Sequence, residues 1–146
     1  MPSTNVLIRV FEPADEAAVI GIWRACDLTR PWNDPARDIE RKVGVADDLF
    51  LVGTIHGVVV AAVMAGYEGH RGWVNYLAVD PAHQGSGVGR ALMAEVEVRL
   101  RTLGCPKINL QVRTSNPAAI AFYQRLGFAV DDAVSLGKRL ESDEPR

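Results

Sequence analysis

Apolar and polar residues follow two periods along this chain, and the switch between them marks out the elements. Residues 6–11 (VLIRVF) are rich in β-branched and aromatic side chains and predict a strand. From Pro13, Val19, Ile22, Trp23 and Cys26 recur at i, i+3, i+4 and i+7, the spacing of an amphipathic helix. A polar loop, TRPWNDPARD, offers Asn33 or Asp34 as a cap and Pro35 for the first turn of a short charged helix ending near Val43. Residues 50–55 and 58–67 predict two strands joined through His56-Gly57. Residues 73–79 predict a further strand, closed by Asp80-Pro81. A long helix then carries Leu92, Val96, Leu100 and Leu103 on one face and stops at Gly104. Residues 108–112 predict a strand and residues 117–126 a helix, with Asn116 as cap and Gly127 as stop. Residues 128–130 and 134–140 predict two closing strands, and the tail ESDEPR, about 141–146, is expected to be disordered.

No internal repeat or linker interrupts this order, and a length of 146 residues suits a single α/β domain spanning 1–146. Hydrophobic residues make up 48% and the net charge is only −2, which excludes intrinsic disorder. The charge also lacks the basic excess that drives association with nucleic acid. No apolar run approaches 18 residues, so no membrane helix is expected. The first residues have neither the basic start nor the apolar stretch of a secretory signal. Cys26 and Cys105 stand far apart, which argues against a disulfide framework, and no cluster has metal-ligand spacing. A reduced, cytoplasmic setting and no metal are expected.

Chemistry concentrates in Gln84-Gly85-Ser86-Gly87-Val88-Gly89-Arg90, between a strand and a helix. Alternating glycines let backbone N–H groups approach an anion, and the following helix adds its free N–H groups and the positive end of its dipole. Phosphate is the natural ligand of such a junction, with a flexible connection as the plainer reading. The GxxxxGK[ST] pattern is absent because Arg90 follows the last glycine. GxGxxG fails because Arg90 stands three residues after Gly87. No GxSxG elbow supports a serine hydrolase.

The Gln-x-x-Gly-x-Gly spacing, with Asp80-Pro81 upstream, closely resembles the pyrophosphate loop of the GNAT superfamily of N-acetyltransferases, which bind acetyl-coenzyme A. A second motif in register, Asn116-Pro117-Ala118-Ala119, then Phe122-Tyr123 and Leu126-Gly127-Phe128, carries the resemblance to about Leu140. CDLTRPWNDP, GYEGHRG, GCPKI and SLGKRL are similar to the bacterial YpeA-type branch. The resemblance implies a mixed, mostly antiparallel sheet of about seven strands flanked by about four helices. It further implies transfer of an acetyl group from acetyl-coenzyme A to a primary amine by direct attack, with a non-catalytic acyl-coenzyme A-binding module as the alternative.

Residue by residue, the resemblance gives the backbone of Leu77, Ala78 and Val79 to the pantetheine arm, in a slot where that strand splays from the next. It gives the amides of Gln84, Gly85, Ser86, Gly87, Val88, Gly89 and Arg90 to the pyrophosphate, and Asn116 to the pantetheine. A backbone N–H such as that of Val79 suits the oxyanion, and Tyr123, protonated at neutral pH, suits the departing sulfur. Read without the family, Tyr123 is a core aromatic on an amphipathic helix. Arg90 and Arg125 read as solvated surface charges, and His56 and His83 as solvated bystanders. Glu68 and His70, in the turn GYEGHRG, are the candidate bases by topology. Arg30, Trp32, Asn33 and Asp34 are candidates to line an acceptor pocket, Trp32 packing on the core and Asp34 capping a helix being the simpler readings. The expected partners are an amine-bearing small molecule or peptide and a second copy of the chain, with no nucleic acid or membrane.

Overall fold

The structure, a computed structural model, describes residues 5–144. Five strands form one sheet in the order β1-β2-β3-β4-β5, with four α-helices around it. Strand β1 (Leu7–Val10) leads through a 3₁₀ turn at Pro13–Asp15 into α1 (Glu16–Ala25). Helix α2 (Pro35–Val45) starts where the Asp34 side chain accepts from the Ala36 N–H at 2.9 Å, and Pro35 takes the position that needs no donor. Strands β2 (Phe50–Ile55) and β3 (Val58–Tyr67) form a hairpin. Both its turn residues, His56 and Gly57, have positive φ, the twist that matches the flanking strands. Strand β4 (Gly72–Val79) extends the antiparallel sheet.

Strand β5 (Ile108–Leu110) lies parallel to β4, a pairing that needs a crossover, supplied by α3 (Val88–Thr102). Helix α4 (Pro117–Arg125) follows β5. The sheet is covered on both faces, so β3 reads as a nearly unbroken apolar run. On one face Val88, Leu92, Met93, Val96 and Leu100 of α3 pack on Leu51, Val63 and Val74, with α4 alongside. On the other, Val19, Ile22 and Trp23 of α1 and Ile39 of α2 pack on Phe50, Val52, Ala62, Met64 and Ala78.

The expected sheet of about seven strands is corrected to five among the described residues: neither 128–130 nor 134–140 is a strand. The reason lies in the partner edge and the sequence. Strand β5 is only three residues long, and the segment beyond Gly127 is broken by Asp131-Asp132, Ser135 and Gly137. Side chains, not a backbone ladder, hold it. Asp131 accepts from Lys107 Nζ at 3.0 Å and from Asn109 Nδ2 at 2.6 Å, and Gln111 Nε2 donates to Ser135 Oγ. Val130, Val134, Leu136 and Leu140 accordingly stay more than 80% exposed. Residues 141–144 form no helix or strand, yet the Asp143 carboxylate accepts from Arg41 Nη2 at 2.6 Å and from the Asp34 N–H at 2.8 Å.

Candidate active site

Strands β4 and β5 pair only from Gly72↔Ile108 to Val74↔Leu110, and beyond that point they part. The cause is local. Between Ala62↔Ala78 and Met64↔Asn75, β3 has one intervening residue and β4 has two, Tyr76 and Leu77, so β4 carries a bulge. Tyr76 takes φ +54° there, a conformation costing a non-glycine residue on the order of 1–3 kcal/mol unless its surroundings hold it. They do: its ring stacks on Trp23 at 4.0 Å between centroids, worth ~0.5–1.5 kcal/mol. Its hydroxyl donates to Asp38 Oδ2 at 2.7 Å. The bulge bends β4 away and leaves a cleft of about 1900 Å³ whose walls include Leu77, Asn116 and Tyr123.

At the end of β4 the polar groups of Val79 lie on the edge opposite β3. The Asp80 N–H donates to Val60 O on the β3 side at 2.8 Å, so strand alternation turns the polar groups of Val79 the other way. The Val79 carbonyl accepts there from Gln84 Nε2 at 3.0 Å and Cys26 Sγ at 3.2 Å. Gln84 thus fastens the strand end to the glycine loop by its side chain, a role the motif alone does not disclose. Burial pushes the Cys26 thiol up, so it remains a protonated donor.

Gly85 and Gly87 take φ +78° and +88°, which only glycine adopts without strain, and Gly87 stands immediately before α3. Gly89 is small for a different reason: a Cβ there would lie 3.2 Å from Phe122 Cζ and 3.6 Å from Val79 Cγ2. The first turn of α3 is therefore pressed between the end of β4 and α4. Its leading N–H groups have no partner one turn back and point out of the helix start. Ser86 Oγ donates to the His83 carbonyl, which tightens the loop from within. His83, expected to be solvated, is less so than its sequence position implies. It is half-buried in the turn Pro81–His83, and its Nδ1 is buried without a hydrogen-bond partner among the described residues.

Tyr123 is half-buried on α4, edge-on to Phe122 and Phe128 at centroid distances of 5.1 and 5.6 Å. Its hydroxyl has no hydrogen bond to the described residues, and burial alone pushes its pKa up to about 12. Asn116 Oδ1 accepts from the Ala119 N–H at 3.1 Å and so caps α4 beside the same cleft. Glu68 and His70 lie elsewhere, at the tip of the β3–β4 hairpin and outside the cleft walls. The Glu68 carboxylate accepts from the N–H groups of Arg71 and His70, which hold it below the usual carboxylate range and tie it to the turn. Arg30 and Asn33 line the cleft, whereas Asp34 is a helix cap and Trp32 lies outside the walls. Sequence reasoning missed Tyr76, Asp38 and Cys26. A bulge has no sequence signature, and Asp38 reads as an ordinary acid in a first helical turn.

Among the described residues no group of three metal-ligating side chains exists, and no helix is long and apolar enough to cross a membrane. The sequence pattern of the acetyltransferase (GNAT) family matches residues 17–128. An acetyltransferase of Pectobacterium atrosepticum is 49% identical over 136 residues, covering 93% of this chain and 96% of its own. Ard1 from Thermoplasma volcanium superposes with a TM-score of 0.76 at 30% identity, over 88% of this chain and 85% of that one. PaiA N-acetyltransferase from Thermoplasma acidophilum, solved in complex with coenzyme A, shares the fold with a TM-score of 0.78 at 17% identity, over 90% and 94% of the two chains.

Proposed function

Because the chain belongs to the acetyltransferase (GNAT) family, we propose that it transfers the acetyl group of acetyl-coenzyme A to a primary amine by direct attack in the opening between β4 and β5. The observation that carries this reading is the parting of the two strands after Val74 and Leu110, with Tyr123 on the wall and the glycine loop at the end of β4.

The backbone of Leu77, Ala78 and Val79 receives the pantetheine arm as a surrogate strand, since β5 no longer occupies that edge. Asn116 borders the same arm. The amides of residues 84–90 hold the pyrophosphate, helped by the start of α3. The Val79 N–H faces the thioester carbonyl and stabilises the oxyanion as the amine nitrogen bonds to carbon. The C–S bond breaks, and Tyr123, whose raised pKa keeps it protonated, donates to the sulfur. An acceptor that arrives as an ammonium gives one proton to water before it attacks, and the nitrogen loses a second to water as the intermediate collapses, because Glu68 and His70 stand outside the cleft. We further place the protein in the cytoplasm and assign it a homodimeric state.

Titration with acetyl-coenzyme A under thermal denaturation tests the site. A ligand at one hundred times its Kd adds ~2.7 kcal/mol and raises the melting temperature accordingly. An unchanged melting temperature at saturating ligand contradicts the assignment.

A further inference from the structure

The two faces of the opening are chemically unlike. Tyr123 belongs to the α3/α4 face, together with the glycine loop, and Tyr76 to the α1/α2 face. A sulfur leaving toward Tyr123 departs on the first face, which leaves the second for the incoming nucleophile. The group waiting there is the Asp38 carboxylate, on the first turn of α2 and in the wall of the same cleft. Its Oδ2 accepts from Tyr76 and its Oδ1 from Arg41 Nη1 at 3.0 Å. A carboxylate offers about four acceptor positions, so two remain. The side chain keeps 19% of its exposure, enough to meet a ligand and little enough to hold one geometry.

Asp38 is ion-paired with Arg41, and the neighbouring cations are shared with other carboxylates. Arg41 is paired in addition with Asp143, through Nη1 at 2.9 Å and Nη2 at 2.6 Å. Lys42 is paired with Asp47, and Arg30 with the Asp27 carboxylate at 3.6 Å, while the carbonyls of Asp27 and Thr29 fix its guanidinium in place. Asp38 is also fastened, through Tyr76, to the bulge that creates the opening, so it stands at a fixed place relative to Leu77 and Val79.

We propose that Asp38 binds the acceptor: its carboxylate receives the ammonium group of a primary amine on the α1/α2 face of the opening and selects cationic acceptors over neutral ones. Tyr76 is the positioning residue that holds that carboxylate. This rests on the reading of the cleft as an acetyl-transfer site, and its test separates the two.

The probes are 2-phenylethylamine and its neutral counterpart 2-phenylethanol, titrated with and without coenzyme A while the intrinsic tryptophan fluorescence is followed, Trp73 standing in the cleft wall. The wild-type chain should prefer the amine at least tenfold. Asp38→Asn, which keeps an acceptor for Tyr76, should lose that preference while its coenzyme A affinity stays within twofold. Equal binding of the two probes by the wild-type chain overturns the proposal, as does no binding of the amine or a preference that survives in Asp38→Asn. Since the wild-type comparison needs no variant, a misfolded substitution does not decide the matter. Failure of coenzyme A to bind strikes at the acetyl-transfer reading alone.

Discussion

Tyr123 shows how one residue can be legible and ambiguous at once. Its place after Phe122 and before Leu126-Gly127-Phe128 marks it through the family motif, while its helical spacing fits a core aromatic equally well. The structure gives it both characters, a ring packed edge-on between two phenylalanines and a hydroxyl on a cleft wall with no hydrogen bond to the described residues. Tyr123→Phe keeps the ring and removes only the donor. Acetyl-coenzyme A binding should survive, and kcat and kcat/KM for the amine should fall together by ~10²–10⁴, as steady-state kinetics will show. Wild-type turnover in the variant returns Tyr123 to the core. Because burial favours the neutral form up to about 12, activity that depends on protonated Tyr123 should hold on the alkaline side as pH rises through 10, where an ordinary tyrosine ionises. A pH–rate profile that loses kcat with a midpoint near 10 contradicts this. Tyr76 and Asp38 were illegible, because their importance comes from a contact across 38 residues of chain and a bulge that no periodicity encodes.

Among elements, those with a strong period were read correctly in kind and nearly in extent. Strands β2 and β3 match the expected 50–55 and 58–67, and α3 and α4 end within a residue of the expected positions. What failed was the closing pair of strands, because a β-rich run becomes a strand only where an edge offers a ladder, and β5 is short. The glycine loop was legible as a motif, and its geometry explains the motif. Gly87 sits at φ +88° directly before the N–H groups that lead α3. Gly87→Asp puts a carboxylate beside two phosphates and a side chain into a conformation it rarely adopts. The far-ultraviolet circular dichroism spectrum should remain that of the wild type while titration shows coenzyme A affinity lost. Unchanged affinity in the folded variant removes the phosphate assignment.

At the scale of the whole molecule, the sheet, the bulge and the two unlike faces form one arrangement: a slit that the proposed reading gives to donor and acceptor from opposite sides. The outer edge of β5 has no strand beside it among the described residues, and Val130, Val134 and Leu136 lie exposed nearby. An edge without a backbone ladder and with apolar neighbours favours association with another chain. Light scattering should therefore return about twice the 15.9 kDa of one chain, and a monomer at working concentration contradicts the dimer. The central claim, that this slit transfers acetyl groups to amines, is tested most directly by following free thiol from acetyl-coenzyme A across a panel of primary amines. The account predicts thiol release that depends on amine, saturates with it and is matched by an equal amount of N-acetylated product. Saturable binding of acetyl-coenzyme A with no amine-dependent thiol above hydrolysis would contradict it and leave a binding module in its place.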